Sequence, residues 1–152
     1  MKKFRFPLES VRAWRRLLWE QEENRLEKLV AEMRQIELNR RELHTASERD
    51  ATRITSLITL TTKDLASLEH LRAYVREEDR RLAEKAERMR LAIVQQRRKL
   101  IDARRQYEAV DKLRERQYQN WAIEAGREEA AQIGELAIGR WQQRTTQRAD
   151  GT

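Results

Sequence analysis

Between Pro7 and Gly126 the chain contains neither proline nor glycine. Those two residues are the strongest interrupters of regular structure, and their absence over so long a stretch leaves an extended helix as the economical fold. Charged residues make up 39% of the 152 positions and hydrophobic residues another 39%, so the apolar side chains are too few for a globular core and must lie in a narrow stripe. Ala, Leu, Glu, Lys, Arg and Gln dominate, as in coiled coils, and the periodicity of the apolar positions argues against disorder.

Two registers carry that stripe. The first runs through Leu8, Val11, Leu18, Leu26, Leu29, Met33, Ile36 and Leu43, with Arg15, Glu22 and Arg40 as polar members. The second runs through Leu65, Leu68, Arg72, Val75, Asp79, Leu82, Ala86, Met89, Ile93, Gln96, Leu100, Ala103, Tyr107, Val110, Arg114, Gln117 and Trp121, about eight heptads at three-four spacing. Between them, SERDATRITSLITLTT (47 to 62) concentrates β-branched and hydroxyl residues, which favour caps and turns. The reversal is expected within 47–62, with Thr61 and Asp64 forming a capping pair.

The expected fold is therefore all-α: one domain over residues 1–152, a long antiparallel two-helix coiled-coil hairpin whose second helix is the longer. The first helix is expected over about 7–50, opened by Pro7 and Glu9, and the second over about 62–140. Gly126, Gly134 and Gly139 each weaken a helix by about 1 kcal/mol relative to Ala, so a bend or fraying is expected there, followed by a mobile polar tail over 142–152.

Enzyme chemistry is not expected. His44 and His70 are the only histidines, cysteine is absent, and neither histidine has metal-ligand spacing. The acidic clusters at 22–23, 77–79 and 128–129 lie on helices where neighbours point about 100° apart, and the glycines form no phosphate-binding loop. No catalytic residue, metal site or cofactor is assigned. The basic opening MKKFRF leads into PLESVRAWRR rather than an apolar run, and no stretch reaches transmembrane length, so a cytoplasmic location is expected.

The formal charge of +7 is uneven: within 88–105, Arg88, Arg90, Arg97, Arg98, Lys99, Arg104 and Arg105 face only Asp102. Specific nucleic-acid readout is not expected, since no basic-region motif or aromatic stacking platform accompanies the band. It suits a polyanion, a membrane surface or an acidic protein surface. Phe4, Phe6, Trp14 and Trp19 crowd one end of the sequence and Trp121 and Trp141 the other. These rings either close the open end of a hairpin or form a docking surface.

FRFPLESVRAWRR at the start, DKLRER at 111–116 and EEAAQIGELAIGR at 128–140 together resemble the flagellar FliJ family. Phe4, Phe6, Leu8, Glu9 and Val11, with Arg15 or Arg16, match that family's opening pattern. Arg12 stands where an apolar residue is usual, and Gly134 where an Asp usually precedes Glu-Leu-Ala. The resemblance implies a non-enzymatic, stalk-like component of the flagellar type III export apparatus, cytoplasmic and peripheral to the membrane. Its implied partners are a hexameric export ATPase, the export gate and other export chaperones. Carried onto this chain, the ATPase contact falls on Phe4, Phe6, Leu8, Val11, Arg15 and Arg16 with Leu113, Arg114 and Arg116, and the gate contact on Leu71, Tyr74 and Glu78. The rival readings are a basic coiled coil that binds polyanions or membrane surfaces, and a purely structural coiled coil.

Overall fold

The computed structural model describes residues 3–149, with side chains described through residue 145. Two helices account for nearly all of it: α1, Glu9–Thr55, and α2, Thr62–Ala149. The all-α, antiparallel two-helix architecture is as expected, and α2 at 88 residues is longer than α1 at 47.

Local chemistry sets the helix ends. Pro7 precedes the first turn, where the Glu9 amide donates to the Phe6 carbonyl at 3.2 Å and the Arg12 amide to the Leu8 carbonyl at 2.9 Å. At the far end of α1 the hydroxyls of Thr52, Thr55 and Ser56 donate to carbonyls three or four residues back. These bonds let the hydroxyl-rich segment extend the helix to Thr55 rather than break it near residue 50. The reversal occupies residues 56–61. Thr61 then caps α2: its amide and hydroxyl donate to Asp64 Oδ2 at 2.8 and 2.7 Å, while the Asp64 amide donates back to Thr61 Oγ1 at 3.2 Å. Those two donors hold the Asp64 carboxyl below its ordinary range.

The chain divides into two compact units, Leu17–Arg104 and Met1–Arg16 with Arg105–Thr152. The first is a hairpin unit whose seam is thin. Ile36, at 3% exposure, is its most buried side chain among those described, with Leu68, Val75, Ile93 and Gln96 the other buried members. Two polar layers interrupt it. Gln96 donates to the Glu22 backbone carbonyl at 3.1 Å and to the Glu22 carboxylate. Arg40 forks onto Asp79 with Nε at 2.9 Å from Oδ1 and Nη2 at 3.1 Å from Oδ2, and His44 Nε2 lies 3.1 Å from Oδ1. The partner's number rises along α1 as it falls along α2, which is the antiparallel sense.

The expected second register holds from Val75 to Trp121, where every member is buried or half-buried, but it fails before that. Leu65 and Arg72 are exposed, and Leu71 is half-buried in the seam. Both three-four paths pass through Leu68 and Val75, and the inward place between them goes to a leucine rather than to an arginine that would need a buried partner. On α1 a parallel correction applies: Leu8 and Val11 are exposed, while Arg12 is half-buried.

α2 continues unbroken through Gly126, Gly134 and Gly139, where a bend or fraying was expected. Residues 142–149, expected as part of a tail, are helical; residues 150–152 lie outside the described residues.

Candidate functional site

The terminal unit gathers most of the residues that the family resemblance selects. Phe6 is buried at 8% exposure, and Phe4 packs edge-on against Tyr118 with ring centroids 5.3 Å apart. Trp121 completes the cluster, 5.8 Å from Phe4 and 5.7 Å from Tyr118. Of the two uses open to these rings, intramolecular packing accounts for Phe4, Phe6 and Trp121. Trp14 and Trp141 are exposed.

An ionic ladder runs beside the rings. Arg12 Nε donates to Asp111 Oδ1 at 2.7 Å, Nη1 to Glu9 Oε1 at 3.0 Å and Nη2 to the Tyr107 hydroxyl at 3.2 Å. Asp111, then Glu9, hold the Arg12 guanidinium above its ordinary range against the opposing effect of burial. Glu9 also pairs with Arg114, whose Nε lies 3.4 Å from Oε2 and whose guanidinium sits 5.9 Å from the Phe4 ring centre. Arg12 therefore takes a seam position because Asp111 and Tyr107 supply acceptors there, which is how the unit accommodates a cation where the family usually has an apolar residue.

The remaining family-matched residues lie around this frame. Arg15 bonds Gln106 and covers the Trp14 ring at 5.0 Å. Arg16, Leu113 and Arg116 are exposed. Leu8, Val11 and Trp14 follow one another at steps of three, all exposed, so they form one ridge on the surface of the unit. Ile133, Leu136, Ile138 and Trp141 of α2 are likewise exposed. The second matched group, Leu71, Tyr74 and Glu78, belongs to the hairpin unit. There Leu71 packs in the seam, Tyr74 is exposed and Glu78 pairs with Arg81 at 3.2 Å.

Sequence reasoning missed Glu9, Arg12, Tyr107, Asp111 and Tyr118 as parts of this site. A usable signal was present: Arg12 and Asp111 are oppositely charged residues that an antiparallel register brings level.

Glu9 and Asp111 pair with Arg12 and Arg114, the Leu8, Val11 and Trp14 ridge faces outward, and among the described residues no group of three or more His, Cys, Asp or Glu side chains could hold a metal ion. No helix among the described residues is long and apolar enough to cross a membrane.

No curated protein and no solved structure matches the chain. The sequence model of the family described as flagellar FliJ protein does match, over residues 4–146, which takes in both units, the aromatic cluster and the ionic ladder. The chain belongs to the flagellar FliJ family, and is thus a component of the flagellar export apparatus.

Proposed function

We propose that this chain is a non-catalytic stalk of the flagellar export machinery, working on the cytoplasmic side of the membrane and peripheral to it. Its terminal unit docks into the ring of a hexameric export ATPase, and its hairpin unit meets the export gate through the α2 face that carries Tyr74 and Glu78, with the half-buried Leu71 at the edge of that face where it enters the seam. Export chaperones are the third class of partner.

The observation that carries this reading is the exposed ridge Leu8, Val11 and Trp14 on a unit in which Arg12 is held by Glu9 and Asp111. Apolar side chains held outward on such a frame favour a partner that removes them from water. Trp and Arg are the residue types most enriched at interface hot spots, and Trp14 with Arg15 and Arg16 supplies both. Phe4 packs on Tyr118 and Trp121 and Phe6 is buried, so the docking contact is assigned to the exposed Leu8, Val11, Trp14, Arg16, Leu113 and Arg116.

The test is stimulation of the purified export ATPase by the full chain and by a Val11→Ala, Trp14→Ala variant. A hot spot of about 2 kcal/mol predicts a loss of affinity of more than tenfold. Far-UV circular dichroism should be unchanged, because both side chains lie outside the seam. Full stimulation by the variant would rule out the ridge as the docking surface.

A further inference from the structure

The hairpin unit carries a second apolar stripe on the side of α2 turned away from its seam. Leu91, Val94 and Ile101 are 56, 42 and 49% exposed, whereas Ile93 and Gln96 between them are buried and Met89 and Leu100 half-buried. With Arg98 the exposed residues follow three-four-three spacing, the pattern of a coiled-coil seam with nothing packed on it. At about 100° per residue, Arg90, Arg97 and Arg104 flank this stripe on one side and Arg88 and Lys99 on the other. Arg90 pairs with Glu87 at 2.5 Å, and Arg104 sits 5.9 Å from the Trp19 ring centre. Arg97, Arg98 and Lys99 are exposed and enter no ion pair among the described residues.

We propose that the Leu91–Ile101 face of α2 is a docking site for an acidic amphipathic helix of a partner protein. The spacing selects a helix, because only a partner with its own three-four repeat meets aliphatic knobs at these intervals. The flanking cations select the acidic kind, since Glu or Asp beside the partner's apolar stripe would face Arg and Lys on both sides.

Other occupants fit less well. A lipid surface calls for a broad apolar face with aromatic residues at its edge, and this stripe is three aliphatics wide with Arg98 in its middle. A nucleic acid would set phosphates against Val94 and Ile101, with no aromatic ring among them for bases to stack on. A second copy of the same face would oppose arginine to arginine.

The experiment uses the full-length chain and a labelled helical peptide of about three heptads, with Leu and Ile at three-four spacing and Glu at the flanking positions. A peptide of identical composition with scrambled apolar order measures charge alone, and phosphatidylcholine vesicles containing phosphatidylglycerol measure lipid binding. The patterned peptide should bind at least tenfold more tightly than the scrambled one. That advantage should disappear in a Leu91→Ser, Ile101→Ser variant, and affinity should fall in an Arg97→Glu, Lys99→Glu variant. Both variants change exposed positions, so unaltered circular dichroism is expected and separates lost docking from lost fold. Equal binding of the two peptides, absence of peptide binding, or recruitment to vesicles without peptide binding would each overturn the proposal. The export reading rests on other residues and survives any of these results.

Discussion

Removing Asp79 tests the most polar layer of the seam. Its carboxylate accepts two bonds from Arg40 and one from His44, and its side chain is 26% exposed against 37% for Arg40. Hydrogen bonds between charged groups contribute about 1.5–3 kcal/mol when well sheltered, and this pair is half open to water. Screening and the freedom of Arg40 to turn outward reduce the expected coupling to about 1–1.5 kcal/mol. The measurement is a double-mutant cycle of Asp79→Ala and Arg40→Ala, read by urea denaturation under circular dichroism at neutral pH. The fork with Arg40, then the His44 bond, holds the Asp79 carboxyl below its ordinary range. A depressed folded-state value means that the stabilisation is fully present above the unfolded carboxylate pKa of about 3.9 and is lost as pH falls through the lower folded-state value. Wild type and Asp79→Ala should therefore converge in stability at strongly acid pH. Coupling below about 0.3 kcal/mol, or a stability gap that persists once the carboxyl is protonated, would show that the fork adds nothing to the seam.

Three further outcomes are expected. Gln96→Leu should stabilise the hairpin unit by about 1 kcal/mol, because the side chain is 7% exposed and an aliphatic replaces an amide without stripping Glu22 of its Arg25 partner at 2.7 Å; urea titration reads this. Leu71→Ala should cost about 1–2 kcal/mol and Leu65→Ala less than about 0.5 kcal/mol, as the first is in the seam and the second exposed; equal costs would contradict the register. Gly134→Ala with Gly139→Ala should slow amide exchange in this part of α2, each adding about 1 kcal/mol of helix stability, since an added Cβ meets nothing within 4 Å at either position and neither glycine has a positive φ.

The sequence made the fold legible where apolar and polar positions alternate with high contrast. From Val75 to Trp121 the long unbroken register read from the sequence is the one the structure buries, while the shorter stripe of Leu91, Val94 and Ile101 stays outside. The contrast is lost between Leu65 and Leu71, where leucines three apart leave two paths open and only the burial cost of Arg72 separates them. At Arg12 hydropathy misleads for a different reason. A cation looks like a gap in the stripe until Asp111 is seen to arrive level with it, a long-range fact that local periodicity does not contain. The end of α1 departs similarly, because Thr52, Thr55 and Ser56 use their hydroxyls to prolong the helix instead of ending it near 50, whereas the Thr61 and Asp64 cap starts α2 at the expected place. In the candidate site, the aromatic and basic residues were visible as a composition. Their division into packed rings, Phe4 and Phe6, and exposed ridge, Val11 and Trp14, depends on packing that spacing alone does not decide.

The polar layers explain how so thin a seam holds one register. No side chain among those described is fully buried, and a strip of aliphatics alone would tolerate slippage by a heptad at modest cost. Slipping α2 by seven residues would set Arg40 level with Arg72 or Ala86, and Glu22 level with Met89 or Ala103. Each arrangement strands a charged or polar group that now has a partner, so the wrong registers are penalised more than the right one is stabilised. A polar layer that fixes alignment in this way adds little to total stability, which is why Gln96→Leu is expected to raise it. The functional consequence concerns the outward faces. With register fixed from within, Leu91, Val94 and Ile101 are held at set heights along α2. An incoming helix thus meets them already in register and loses less conformational freedom in aligning with them.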